Sequence, residues 1–326
     1  RRQRQMCIRD SLLGAFSSAF FLYGIALTYG ACGTTKLALI TKQIAQVGLL
    51  HDKIMLVGLG LLLVGFAFKV ALVPFHMWVP DVYEGAPIPV TAFMSVGPKA
   101  AVIGALIRVL MMGIQTVRTD WFVFLWIISF VTMFVGNILA IMQESVKRML
   151  AYSSIAHVGY MLIGILASSV KPEIGYGPII FYLTVYAFTN IGAFTIIMLL
   201  TKEPGVGEKF SDFNGLFLRS PLAAVFMTIF MLSLAGIPPA GGFIGKFWIF
   251  KAGIQANLLG LVIIGIINSA ISVYYYLRVV VAMFSAIAEE KEKLIWKTFF
   301  FFLQFSNILP PISIFVSVFV SFIYYK

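Results

Sequence analysis

Acidic residues are scarce in this chain: 13 Asp and Glu stand against 24 Lys and Arg in 326 residues. None of them lies deep inside an apolar run; Asp81, Glu84, Glu144 and Asp212 all read as members of connecting loops. Charged residues of either sign make up 11%, whereas a soluble domain carries roughly a quarter. A packed soluble core needs a solvated shell, and these charges are too few to form one. Cysteine is nearly absent as well. Cys7 and Cys32 cannot ligate an iron–sulfur cluster, which takes four protein ligands. The sequence also lacks a CxxCH haem site, a Walker motif and a GxGxxG turn after a strand. No redox centre or cofactor is therefore expected in this chain. The basic surplus, +11, is scattered singly between apolar runs, which excludes the clustered footprint of a nucleic-acid binder.

What the chain has in abundance is apolar surface: 60% hydrophobic residues and a mean hydropathy of +0.98. At roughly 20 apolar residues per span, about nine segments qualify. They fall near 12–32, 54–79, 90–113, 121–142, 147–168, 177–201, 219–252, 257–286 and 296–325. Short Gly, Pro and charge clusters separate them, including PDVYEGAPIP, TKEPGVGEKFSDFNG and AEEKEK. The short alternating strands of a membrane barrel are missing, so the expected fold is an all-α, polytopic transmembrane helical bundle. The amino terminus, RRQRQMCIRDS, is polar and basic and is followed by no cleavage-site pattern. Residues 1–11 are expected to be a non-native or artefactual terminus.

Two spans are interrupted. In GFAFKVALVPFHMW, Pro74 has no N–H to give the carbonyl of Val70, and its ring crowds that carbonyl. In SLAGIPPAGGFIGKFW, Pro238 and Pro239 free the carbonyls of Leu234 and Ala235. Broken backbone at membrane depth persists only where protein or a watery cavity satisfies it. Each break has a lysine beside it, Lys69 before the first and Lys246 after the second. Paired broken helices with charges nearby point to a transporter built from repeats, its ion path at the breaks.

An amine held away from water is driven toward its neutral form, so it can load and release a proton. Lys69, Lys99 and His157 each sit well inside a span, and Lys246 follows the second break among Phe243, Ile244, Phe247 and Trp248. For the lysines the alternative is snorkelling to the interface. His157 can accept and donate at once, which suits a relay between lysines; a hydrogen-bonded structural histidine is the alternative. His76, two residues after Pro74, is better read as a cap on the freed carbonyls. The aromatic residues read as lipid-facing.

Four stretches carry a resemblance from about Leu12 onward: FKVALVPFHMWVPDVYEGAPIPVTAFMSVGPKAA, VKRMLAYSSIAHVGYMLIG, FSDFNGLFLRSPLAAVFMTIFMLSLAGIPPAGGFIGKFWIFKAG and SAISVYYYLRVVVAMF. They resemble the N-subunit family of respiratory NADH–quinone oxidoreductase, complex I. The resemblance implies an antiporter-like fold of fourteen helices with two inverted five-helix repeats, each with a broken helix. On that pattern the chain begins at the sixth helix, without about the first five and without the glutamate that pairs with the first lysine. Residues 12–113 would belong to the first repeat, 114–286 to the second and 287–326 to a final helix. The resemblance further implies a proton pathway along Lys69, Lys99, His157 and Lys246. NADH, FMN, iron–sulfur clusters and quinone would be bound by partner subunits. Those partners are other membrane-arm subunits, with no nucleic acid, in a bacterial inner membrane or else an organellar energy-transducing membrane. The alternatives are a subunit of a Mrp-type cation/proton antiporter or of a membrane-bound hydrogenase-type complex, and a passive membrane scaffold.

Overall fold

The computed structural model describes residues 2–47, 53–115, 118–201 and 207–304. In chain order its helices are α1 (Arg2–Cys32), α2 (Leu37–Val47), α3 (Lys53–Val70), α4 (Trp78–Gly85), α5 (Ile88–Arg108), α6 (Arg118–Ile141), α7 (Val146–Val170), α8 (Gly177–Leu200), α9 (Leu216–Arg219), α10 (Pro221–Ala235), α11 (Gly241–Gln255) and α12 (Leu259–Gln304). Seven helices among the described residues are long and apolar enough to cross a bilayer, so the chain is an integral membrane protein.

Helix α7 is the axis of the bundle, buried over nearly its whole length. Small residues let neighbours approach it closely from several sides. Gly159 is one such point: a Cβ there would lie 3.0 Å from the Met133 backbone nitrogen of α6. Ser145 caps α7 by accepting a hydrogen bond from the Arg148 backbone N–H at 3.4 Å.

Both expected breaks are present. The first separates α3 from α4, with a cis Val73–Pro74 bond and Ala71 at φ +65°. Its loose backbone groups find partners within the bundle. Trp78 Nε1 donates to the Phe68 carbonyl (3.1 Å), and the Val73 N–H donates to Thr132 Oγ1 (3.1 Å). The second separates α10 from α11, with a cis Pro238–Pro239 bond. There the Gly242 N–H donates to Ser233 Oγ (3.1 Å). The two broken helices run in opposite directions. Helix α4 ends beside Lys147, in the first turn of α7, whereas α11 ends with Gly253 against Ile163, toward the far end.

Two expectations are corrected. Asp81 and Glu84 are not in a loop but on α4, where both pair with Arg148, Asp81 at 3.2 Å. Lys147, at the start of its expected span, is buried: its Nζ donates to Glu208 Oε1 (2.9 Å) and to the Glu84 and Ala86 carbonyls (3.1 and 2.9 Å). AEEKEK does not separate two helices, because α12 runs through it. Ala, Glu and Lys are strong helix formers, and no Pro or Gly interrupts them. Of the last expected span, residues 305–326 lie outside the described residues.

Candidate functional site

Three of the four residues singled out in the sequence converge beside α7. Lys99, from the middle of α5, is 3% exposed and donates to Ser154 Oγ (2.6 Å) and the Ser154 carbonyl (3.0 Å). The Tyr83 ring lies below its Nζ, 5.9 Å to the centroid. Lys246, one turn into α11, is also 3% exposed. Its Nζ donates to the Ala235 carbonyl (2.9 Å) and to Ser269 Oγ (3.0 Å), and sits 5.1 Å from the Tyr160 ring centroid. Among the described residues neither ammonium is in an ion pair. Each is solvated by hydroxyl and carbonyl oxygens and by an aromatic face instead. Snorkelling is therefore ruled out for both. Ile244, Phe247 and Trp248 face outward and do not surround Lys246.

His157 lies between the two lysines, buried. Its Nδ1 bonds with Tyr182 Oη (2.5 Å) and its Nε2 with Tyr276 Oη (3.0 Å). Tyr276 Oη also bonds with Ser153 Oγ. The rings of Tyr160 and Tyr186 pack against the imidazole at 5.9 and 5.0 Å. A neutral imidazole has one donor and one acceptor nitrogen, so one tyrosine accepts while the other donates. A cationic ring could donate to both. The cage therefore accommodates either charge state.

A second polar group adjoins the row. Asn137 Nδ2 donates to Tyr160 Oη (3.3 Å), and Asn137 Oδ1 accepts from Tyr275 Oη (2.9 Å). This ties the ring beneath Lys246 to α6 and α12.

The remaining candidates lie elsewhere. Lys69, in the last turn of α3, is exposed and has no hydrogen-bond partner among the described residues. It lies outside the cluster formed by the other three. His76 is buried with its ring against the Pro74 backbone, and Trp78 and Thr132 satisfy loose backbone groups on either side of the break.

Sequence reasoning missed the tyrosines. Tyr83, Tyr160, Tyr182, Tyr186, Tyr275 and Tyr276 are buried, not lipid-facing. The available signal was their depth, since membrane tyrosines otherwise collect at the two interfaces.

Comparison with known proteins gives this geometry a family. The family model described as NADH:quinone oxidoreductase/Mrp antiporter, transmembrane, matches residues 2–272. NADH-quinone oxidoreductase subunit N of Trichlorobacter lovleyi is 51% identical over 280 residues, covering 86% of this chain and 57% of that protein. Subunit N 1 of Chloroherpeton thalassium is 49% identical over 286 residues, covering 87% and 59%. The chain thus spans less than two thirds of the length of these curated relatives. Among solved structures, respiratory complex I from Thermus thermophilus contains a chain 36% identical, with TM-score 0.72, covering 86% of this chain and 59% of that one. The Mrp complex from a Dietzia species contains one 26% identical, with TM-score 0.75, covering 86% and 51%. The chain belongs to the transmembrane family of NADH:quinone oxidoreductase and Mrp antiporter.

Proposed function

We propose that this chain moves protons through the membrane as the N-type subunit of an NADH–quinone oxidoreductase. One observation carries the reading: Lys99, His157 and Lys246 lie together inside the bundle, each hydrogen-bonded to hydroxyl groups and, among the described residues, none paired with a carboxylate. An ammonium that gives up its proton leaves a neutral amine. A hydroxyl that accepts one proton and releases another ends unchanged. Ser154 and His157 lie on the same turn of α7, with Tyr186 close to both, so protons move between Lys99 and His157 through side chains and intervening water. Between His157 and Lys246 stands the ring of Tyr160, which holds the ammonium by its face, so intervening water carries the proton over that step. Lys69 is the fourth station, reached from the exposed side of α3.

Quinone reduction elsewhere in the complex would drive the cycle electrostatically, because a charge placed near one amine changes its preference for the proton. NADH, FMN, iron–sulfur clusters and quinone are assigned to partner subunits, and this chain is assigned no redox centre. The partners are other membrane-arm subunits, and the location is a bacterial inner membrane. These assignments rest on the 51% and 49% identical relatives named as N subunits.

The test replaces Lys246 with Met in the full-length subunit within its complex. Proton uptake per NADH oxidised, in inverted membrane vesicles, should collapse while the complex still assembles. Unchanged pumping with normal assembly would leave only a scaffold role.

A second reading, part of a cation/proton antiporter or related membrane complex, is favoured by shape alone. The chains of the Mrp complex and of the archaeal membrane-bound sulfane sulfur reductase superpose with TM-scores of 0.75 and 0.77. Their identities, 26% and 29%, fall below the 36% of the complex I chain. Purification with or without quinone-reductase partners separates the two readings.

A further inference from the structure

Helix α5 carries Thr91, Ser95 and Lys99 at intervals of four, so they form one stripe, and all three are buried. Facing it on α8 is a second stripe, Tyr182, Tyr186 and Asn190, also buried. The stripes meet at Ser95. Tyr186 Oη donates to the Ser95 carbonyl (3.4 Å), and Asn190 Nδ2 donates to Ser95 Oγ (2.6 Å). The Ser95 hydroxyl spends its single hydrogen on the Ala92 carbonyl (2.7 Å), so toward Asn190 it can only accept. That fixes the amide with its nitrogen toward Ser95 and its oxygen the other way. Asn190 Oδ1 is then fully buried and without a donor among the described residues, although Asn190 is only 1% exposed.

A buried amide oxygen left without a donor destabilises the fold, so it calls for a partner. One turn along α5, Lys99 shows the complementary deficit. Its ammonium has three N–H donors and makes two hydrogen bonds, both to Ser154. A water molecule held at Asn190 Oδ1 would supply the missing donor, and Lys99, on the same buried stripe as Ser95, has an N–H left to give.

We propose that Asn190, held by Ser95, is the positioning residue for a buried water that delivers protons to Lys99. This rests on the proton-transfer reading above. The water takes up a proton arriving from the α4–α5 end and gives one of its own hydrogens to the neutral Lys99 amine. The amine becomes an ammonium, and the water is restored. The row of Lys99, His157 and Lys246 thereby gains an entry on the α5–α8 side.

Two measurements on the assembled complex decide this. In a cryo-EM map fine enough to show ordered water, a water should lie within hydrogen-bond distance of Asn190 Oδ1. A dry Oδ1 overturns the proposal. In vesicles, Asn190→Leu should lower protons taken up per NADH oxidised by up to about a hundredfold, the low end of what a positioned proton-transfer group contributes. Asn190→Asp, whose carboxyl can still accept from the water, should restore most of it. Equal loss in both variants would mean a packing role and overturn the proposal. Lys99→Met is the reference. If it pumps normally, the proton-transfer reading itself fails; if it is inactive while Asn190→Leu is normal, only the water at Asn190 is lost. Should Asn190→Leu fail to assemble, the water in the wild-type map alone decides the matter.

Discussion

Lys246 donates to the carbonyl oxygen of Ala235, 2.9 Å away, an oxygen released where α10 stops. The break and the amine are therefore one unit. The helix gives up a backbone hydrogen bond, and the side chain eleven residues later accepts the task. Ser269 reaches the same carbonyl only at 3.5 Å, from α12.

This pairing predicts two separable effects at Lys246. Lys246→Met removes both the titrating group and the donor to Ala235, so pumping should be lost and stability should fall by about 1–3 kcal/mol. Ser269→Ala leaves the Lys246–Ala235 bond and should cost only about 1 kcal/mol. Pumping assays and thermal unfolding of the purified complex read the two effects apart.

The ring of Tyr160 beneath Lys246 gives a second test. A desolvated cation–π contact is worth about 2 kcal/mol, and the ring supplies it, not the hydroxyl. Tyr160→Phe keeps the ring and should retain most pumping. Tyr160→Leu should lower it by about tenfold or more, as expected from a contact of that strength. Equal losses in the two variants would place the function in the hydroxyl and its bond to Asn137.

How much of this was readable in the sequence depended on whether the signal was local. Pro74 and the Pro238–Pro239 pair remove backbone donors, and that consequence is written in the residues themselves. The depth of Lys99 and His157 followed from counting along an apolar run. Which way a side chain turns about its helix is a tertiary property, and there the reading failed. Lys69 and Lys246 look alike beside their prolines, yet one is exposed and the other buried. Depth sets the tyrosines apart from lipid-facing phenylalanines, but what they meet is decided only where α8 and α12 bring Tyr182 and Tyr276 onto the two nitrogens of His157. Likewise the burial of Lys147 is a tertiary property, because its partner Glu208 lies 61 residues away in the chain.

His157 should be sensitive to the loss of either nitrogen's partner. His157→Gln keeps one donor and one acceptor but cannot exchange a proton between them, whereas His157→Ala loses both. If the ring relays protons, the two variants should be equally deficient in pumping, by about a hundredfold or more for a group engaged in proton transfer. A structural histidine would instead show substantial rescue by glutamine. Proton uptake per NADH oxidised distinguishes these outcomes.

The Lys147–Glu208 pair should matter for stability and not for transport. Its partners join the end of α4 and the 207–213 segment to the first turn of α7, away from the row of Lys99, His157 and Lys246. Lys147→Ala strands the Glu208 carboxylate in a site where Glu208 is only 9% exposed, and it leaves two backbone carbonyls without their donor. Breaking a buried pair from one side costs about 3–5 kcal/mol. Replacing both members, Lys147→Met with Glu208→Leu, removes the stranded charge, so the double variant should recover much of that loss. Thermal unfolding of the detergent-solubilised complex measures both. A double variant as unstable as Lys147→Ala would show that the two carbonyls, of Glu84 and Ala86, and not the carboxylate, are what Lys147 chiefly serves.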